Sequence, residues 1–485
     1  MILGLDLGTT NVKALLIDEN GRIESEGFAS VERYYAGTDG VEQDIEEIWR
    51  ATIDAVRLAL TGSEASQVRA VGVSSQGGAM QILDAEDRPV GRVISWLDGR
   101  GRPYDDRIEK DLKERHGDDF FAKHLGYGKP AISIGQIARL KEESPHIMGP
   151  KCRIGFVGDI IVGRLCGHRA HDATSLSIAL LLNPRECQAD AAMLDYLDIH
   201  EQQLPDLLPV DTAAGRLTTD IAQDTGLPPG IPVSVAIHDQ YAASLGAGSV
   251  GSGNVSLGTG TAWVLVANSD TFPESILQST FVCPHPVDGL FGQMKSLGNG
   301  GSAVEWAMGI MSQTDLSPSG TEMDYWMRSV PVGSEGLAFW PLLTPGIGYS
   351  AFEKSGGRMT GIRLSHGPQH VLRAVVEGLA CELARHLNIL TEGGVAIDRL
   401  VMSGAAAASN VTPEIIANVV GCPVACLEES SISAFGAGVA ARALVEPEAK
   451  LADLARELAP ASRTVEPGKD MEIYQELLQR YIEPF

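Results

Sequence analysis

Two acidic residues stand where apolar runs give way to turns. Asp6 falls near the end of Ile2-Leu3-Gly4-Leu5-Asp6-Leu7, just before Gly8-Thr9-Thr10, and Asp239 follows the run Val233 to His238. A carboxylate at the end of a buried strand is costly unless it is paired or serves a cation. A glycine turn beside it can aim several backbone N–H groups at one point, which suits an anion such as phosphate, and the threonine hydroxyls add donors. Magnesium bound to phosphates takes one or two carboxylates and keeps several waters. An acid at the C-terminal end of a strand, before a helix, lies where α/β folds place ligands. There it could accept a hydroxyl proton during phosphoryl transfer. The competing explanations are a helix cap for Asp239 and a tight hairpin for the first turn. His238 reads as a structural hydrogen-bonding residue.

The elements that must position these groups follow from patterning. Ile2 to Asp18 is two apolar runs around the Gly-Thr-Thr turn, Asp18 to Gly21 is a second turn, and Arg22 to Ala29 completes a three-stranded meander. Asp44 to Leu60 carries apolar residues at helical spacing, and Val68 to Val73 is a buried strand leading to the loop Ser74 to Gly78. The run Asn254 to Val266 repeats the opening pattern around Leu257-Gly258-Thr259-Gly260, with Ser256 in the place of Asp6 about half a chain later. A duplicated unit explains this, with domains at 1–249 and 250–485. Leu400 to Ala405 is a strand entering a small-residue turn, Pro413 to Val420 and Ala434 to Leu444 are helices, and Asp470 to Tyr481 is a terminal amphipathic helix. Strands alternating with helices define an α/β protein.

Two motifs are discounted. Gly246 to Gly251 matches G-x-G-x-x-G, but a helix precedes it and a strand follows, the reverse of the dinucleotide-binding order. Gly436-Ala437-Gly438 sits within an Ala-rich helix, where small residues allow close packing. No GxxxxGK[ST] is present, which argues against a P-loop enzyme.

Bulk properties narrow the field. The 485 residues suggest two domains. The net charge of −25 argues against nucleic acid and against an anionic membrane surface as partners. No run of about 18 apolar residues suggests a membrane span, and the first residues read as a strand rather than a signal peptide. Seven scattered cysteines without a CxxC pair fit reduced thiols and a cytoplasmic setting. A homodimer is compatible with the sequence.

Asp6-Leu-Gly-Thr-Thr, Asp239 after its strand and Ser256-Leu-Gly-Thr-Gly resemble the FGGY carbohydrate kinases. So does Gly357-Arg358-Met359-Thr360-Gly361-Ile362 followed after seven residues by His370 to Glu377, and the order of pieces agrees from Ile2 to about Leu444. The resemblance implies two actin-like (ribonuclease H-like) ATPase domains around a central cleft, with ATP and Mg2+ as cofactors. It implies Asp239 as general base and Asp6, with Asp239, beside the metal. Gly8, Thr9, Thr10 and Lys13 would hold phosphates from one side, and Gly258, Thr259 and Gly260 from the other. Asn299, Gly404 and Ala405 would lie by the nucleotide, with Ser403 replacing a usual glycine. The acceptor would meet Gln76, Gly77, Gly78, Trp96, Asp98, Asp239 and Gln240.

Departures bear on the acceptor. The Met-His pair of xylulokinases is Gly77-Gly78, which predicts an enlarged pocket. The Arg-Glu pair of glycerol kinases is also missing there, which argues against glycerol. The Lys and Trp of the N-terminal signature, near Pro130 to Lys141, read Gln136 and Arg139, and Pro345 to Tyr349 replaces Gly-Glu-Arg-Thr-Pro. His238-Asp239 resembles fuculokinases and rhamnulokinases more than xylulokinases. The first expectation is a ketose or polyol acceptor such as xylulose. A deoxyketose kinase and a non-catalytic nucleotide-binding regulator are the alternatives.

Overall fold

In the computed structural model, which describes residues 1–129, 131–274, 276, 280–311, 319–343 and 351–485, two large sheets repeat one plan. The first runs Asp206–Leu207, Ala170–His171, Pro232–His238, Val71–Ser75, Ile2–Leu7, Asn11–Ile17 and Ile23–Ser30, with Ala213–Arg216 beside Pro232–His238. Ile2–Leu7, Asn11–Ile17 and Ile23–Ser30 are antiparallel neighbours, while Val71–Ser75 lies parallel to Ile2–Leu7. The second sheet runs Phe281–Pro284, Phe291–Ser296, Trp263–Ser269, Asn254–Thr259, Arg399–Gly404, Val424–Leu427 and Ser462–Val465. Here too an antiparallel hairpin continues into parallel pairing, between Asn254–Thr259 and Arg399–Gly404.

The parallel strands are buried along their length, as strands covered on both faces must be, so they read as continuous apolar runs. Helix Ile45–Ala59 follows the predicted amphipathic pattern, and Asp44 caps it by accepting from the Glu46 N–H at 2.8 Å. The second hairpin closes later in the repeat than the first. Leu7 pairs with Val12, whereas Thr259 still pairs with Trp263. Gly258 and Thr259 are therefore strand residues, and the tip of the second turn is Gly260-Thr261-Ala262.

A third, five-stranded sheet (Tyr34–Ala36, Gly40–Gln43, Pro89–Ile94, Met80–Leu83 and Arg153–Phe156) has its own apolar core with Ile108, Phe120, Ile134 and Leu180. It lies beside the loop at 76–78.

Helix Ile432–Val445, placed by sequence in the second half, returns to the first core. Ile432, Phe435, Val439 and Leu454 belong to the same buried cluster as Leu3, Val71 and Val235. The glycines of the Gly436-Ala437-Gly438 string make this possible. A methyl at Gly436 would lie 2.6 Å from the Ala242 carbonyl carbon and 2.9 Å from the Gly246 nitrogen. One at Gly246 would lie 2.7 Å from the Gly436 nitrogen, and one at Gly4 2.8 Å from that of Gly438.

Candidate active site

Strand Pro232–His238 ends directly in helix Asp239–Gly246, so Asp239 occupies the first helical turn. The strand end is held firmly. The His238 N–H donates to Thr174 Oγ1 at 3.0 Å, and the Thr174 hydroxyl donates to the buried Asp172 at 2.6 Å. His238, not Asp239, caps the helix, with its Nδ1 accepting from the Gln240 N–H at 3.2 Å. The cap explanation for Asp239 therefore falls away. Tyr241, one turn on, donates to the Gly292 carbonyl at 2.8 Å and so ties this helix to the second sheet.

Asp6 is half-buried, pairs across the hairpin with Lys13, and accepts from Ser74 Oγ at 3.0 Å on the parallel neighbour. Burial, and then the charge of Asp239, push its carboxyl up to about 6, against the opposing pull of Lys13 and the Ser74 hydroxyl. Burial also lifts Asp239 to about 6, opposed by the Gln240 N–H and side chain. Two carboxylates close enough to repel, both disfavoured as anions, suit a divalent cation, whose charge would relieve both. Among the described residues no group of three or more His, Cys, Asp or Glu could hold a metal by itself. These two carboxylates therefore match a cation completed by water and phosphate rather than a protein cage.

Gly258 brings the second hairpin to this point. A methyl on it would lie 3.6 Å from Gln240 Oε1, so the second hairpin faces the residue after Asp239. Its tip meets the start of helix Gly301–Met311, because Gly301 N–H donates to the Gly260 carbonyl at 3.0 Å and Ser302 N–H to the Thr261 carbonyl at 3.0 Å. Gly404, at φ +91°, needs glycine's freedom, and Ala405 starts the short helix after it. Gly8, Thr10 and Gly260 keep solvent-facing surface at the two tips.

Other predicted contacts have different work. The Thr259 hydroxyl donates to the Ser403 carbonyl at 2.6 Å and accepts from the Ala406 N–H at 3.1 Å, so it staples the second hairpin to the 404 turn. Asn299 is buried and donates to the Pro341 carbonyl at 2.8 Å. The Gln76 side chain accepts from Thr9 Oγ1 at 3.1 Å and donates to Gln43 Oε1 at 3.0 Å, which shapes the loop from within. Asp98 departs most from expectation. Its carboxylate takes hydrogen bonds from Val41 N, Arg100 N, the Arg100 guanidinium and Gln136 Nε2, and its side chain is 0% exposed. A sugar hydroxyl has no access to it. Arg139 donates to Gln136 Oε1 at 2.9 Å, so both departures in the N-terminal signature serve this network.

Trp96, by contrast, is 46% exposed and donates its indole N–H to Thr9 Oγ1 at 3.1 Å. The pocket enlargement expected at Gly77-Gly78 does not occur. A methyl at 77 would overlap the Cδ2–Nε2 edge of His238, and one at 78 would overlap the Ile132 side chain. Ile132 belongs to no motif, and its one signal in the sequence is an apolar residue in the loop before Ser133. The C-terminal signature proves architectural: Glu377 accepts from Gly333 N, Ser334 Oγ and Arg373 Nε at 3.0, 3.0 and 2.8 Å. Pro345 to Tyr349 lies outside the described residues.

A paired-carboxylate centre between two glycine hairpins on twin α/β units is the architecture of a phosphotransferase of the actin-like ATPase fold. Residues 1–246 match the N-terminal domain model of the FGGY family of carbohydrate kinases and residues 253–444 the C-terminal one. The chain belongs to that family, whose members transfer a phosphoryl group to an alcohol acceptor. It is 26% identical over 496 residues to a glycerol kinase of Deinococcus radiodurans, covering 99% of this chain and 96% of that protein. Its fold is similar to that of xylulose kinase from Rhodospirillum rubrum, with a TM-score of 0.89, 22% identity and coverage of 99% and 97%. It is also similar to that of Plasmodium falciparum glycerol kinase with ADP, with a TM-score of 0.87, 19% identity and coverage of 100% and 97%. No helix among the described residues is long and apolar enough to cross a membrane.

Proposed function

We propose that the chain transfers the γ-phosphoryl group of ATP to a hydroxyl of a small ketose or polyol, with Asp239 as the general base. The observation that carries this reading is the pair Asp6 and Asp239, both raised to about 6, between the two hairpins. A carboxylate of that pKa is ionised at neutral pH and still basic enough to take the acceptor's proton as the O–P bond forms. Asp6, with Asp239, would hold Mg2+, which supplies charge neutralisation on the phosphates. Lys13 and the backbone of Gly8, Thr9, Thr10 and Gly260 would position the phosphates, with Gly258, Gly404 and Ala405 lining the nucleotide side. Glycerol enters as a second acceptor class because curated relatives across nearly the whole chain are named glycerol kinases.

The test is a coupled assay for ADP release on a panel of pentuloses, hexuloses, deoxyketoses, glycerol and sugar acids. Asp239→Asn is expected to lower kcat by about 10²–10⁴-fold with ADP affinity retained. Acceptor-independent ADP release equal to that with every acceptor would point to a regulator instead.

A further inference from the structure

The loop Gln76-Gly77-Gly78 carries no side chain at its last two positions, yet the space above both is filled. Over Gly77 lies the Cδ2–Nε2 edge of His238, and over Gly78 lies the side chain of Ile132. The imidazole Nδ1 accepts from the Gln240 N–H at 3.2 Å and stands 3.2 Å from Asp239 Oδ1, so the ring is held against the proposed base and its Nε2 edge turns to Gly77. His238 is buried, and its Nε2 has no hydrogen-bond partner among the described residues. The ring itself stays in place edge-on to Tyr241, with centroids 5.9 Å apart.

Ile132 is held at φ 57° and ψ −106°, a conformation that a β-branched residue rarely adopts. Such backbone persists where surrounding contacts impose it, and it concentrates at ligand sites. Ser133 supplies one such contact, donating to the Gly78 carbonyl at 3.2 Å. Trp96 completes the wall, with its Cβ 3.7 Å from where a Gly78 methyl would stand.

We propose that His238 and Ile132 read the acceptor in place of side chains at 77 and 78, and that the acceptor they fit is a polyhydroxy compound with a C–H face beside its reacting end. Its oxygen next to the reacting hydroxyl hydrogen-bonds to the imidazole Nε2, while its C–H face lies against Ile132 and Trp96. This rests on the reading of Asp239 as the base, since His238 is its chain neighbour. His238 is a specificity-determining residue here, and Ile132 sets the shape of the wall.

The test compares His238→Ala, Gly77→Ala and Ile132→Ala with the wild type on the acceptor panel, with ADP affinity and Tm measured for each. His238→Ala should raise the acceptor KM at least tenfold, with a smaller change in kcat and ADP affinity within twofold. Gly77→Ala, which keeps the histidine but displaces its ring, should do the same and serves if His238→Ala fails to fold. Ile132→Ala should reorder the acceptors by at least fivefold. In Gly77→His/His238→Gly the imidazole returns from the other side of the contact, and part of the lost affinity should be recovered. Unchanged KM and ranking in both His238→Ala and Gly77→Ala, with Asp239→Asn inactive, would overturn the proposal and leave the base intact. An active Asp239→Asn would instead refute the base. A wild-type enzyme that uses no acceptor of the panel overturns the proposal as well.

Discussion

Gly436→Ala is a single methyl placed at the crossing of helices Ile432–Val445 and Asp239–Gly246. The methyl would meet the Ala242 carbonyl and the Gly246 nitrogen, so backbone opposes backbone and no rotamer change can make room. A carbon settles about 3.3–3.6 Å from a carbonyl oxygen, and the methyl would start far inside that distance from the Ala242 oxygen, so the helices must part by roughly 1.5 Å. Overpacking of this kind costs about 1–3 kcal/mol, offset by about 1 kcal/mol from alanine's helical preference. The net loss of stability is then at most about 2 kcal/mol, and the protein should remain folded. Activity should suffer more, because the displaced helix begins with Asp239 and a 1 Å misplacement of a reacting group can cost about 10²-fold. Steady-state kcat in the coupled assay, paired with Tm, reads both effects. Gly438→Ala is the control, since there a methyl meets chiefly the movable end of Ile17. A Gly436→Ala enzyme with wild-type kcat and Tm would refute the idea that this crossing sets the position of the base.

Three further outcomes follow from the site. Because Asp239 must be ionised to accept a proton and sits at about 6, kcat/KM should rise through pH 6 and level off by about pH 7.5; a profile flat from pH 5 to 8 contradicts its role. Raised carboxyls bind protons in the fold that the unfolded chain has already lost, so they weaken the free protein as pH rises from about 4 to 6. Asp6→Asn should accordingly raise the Tm of the ligand-free protein at pH 7 by about 1–3 °C while abolishing magnesium-dependent turnover; a lower Tm would show that Asp6 is held by favourable partners. Thr259→Val leaves the Ser403 carbonyl and Ala406 N–H without their shared hydroxyl, a loss of about 1–3 kcal/mol. It should raise the KM for ATP about tenfold with little effect on the acceptor KM, and equal effects on both would show that the staple does not belong to the nucleotide side.

The twin hairpins, the base strand and the helix after it were legible because each is written in consecutive residues: alternating or continuous apolar runs, then turn formers. The commitments of polar side chains were not. Asp98 looks like a free turn carboxylate, but its partners include Val41 and Gln136, brought close by the third sheet. Thr259 reads as a phosphate donor until Ser403, far along the chain, arrives beside it. The same limit hid the filling of the Gly77-Gly78 gap, because what replaces a missing side chain is whatever another segment places there. It hid too the return of residues 432–458 to the first core, since apolar periodicity marks a buried helix without saying which sheet buries it.

That return sets a timetable for synthesis. Leu3 and Val71 belong to a core that closes only when Phe435, Val439 and Leu454 have been made. At about 5–20 residues per second, the opening strands would wait roughly 20–90 s for their final cover. Meanwhile the sheet face crossed at Gly4 and Gly72 stands open, a flat surface to which other nascent chains could adhere. A ribosome stalled before residue 432 would carry a nearly complete catalytic centre on an uncovered sheet, so chaperone demand should fall late in translation rather than at the junction of the two halves.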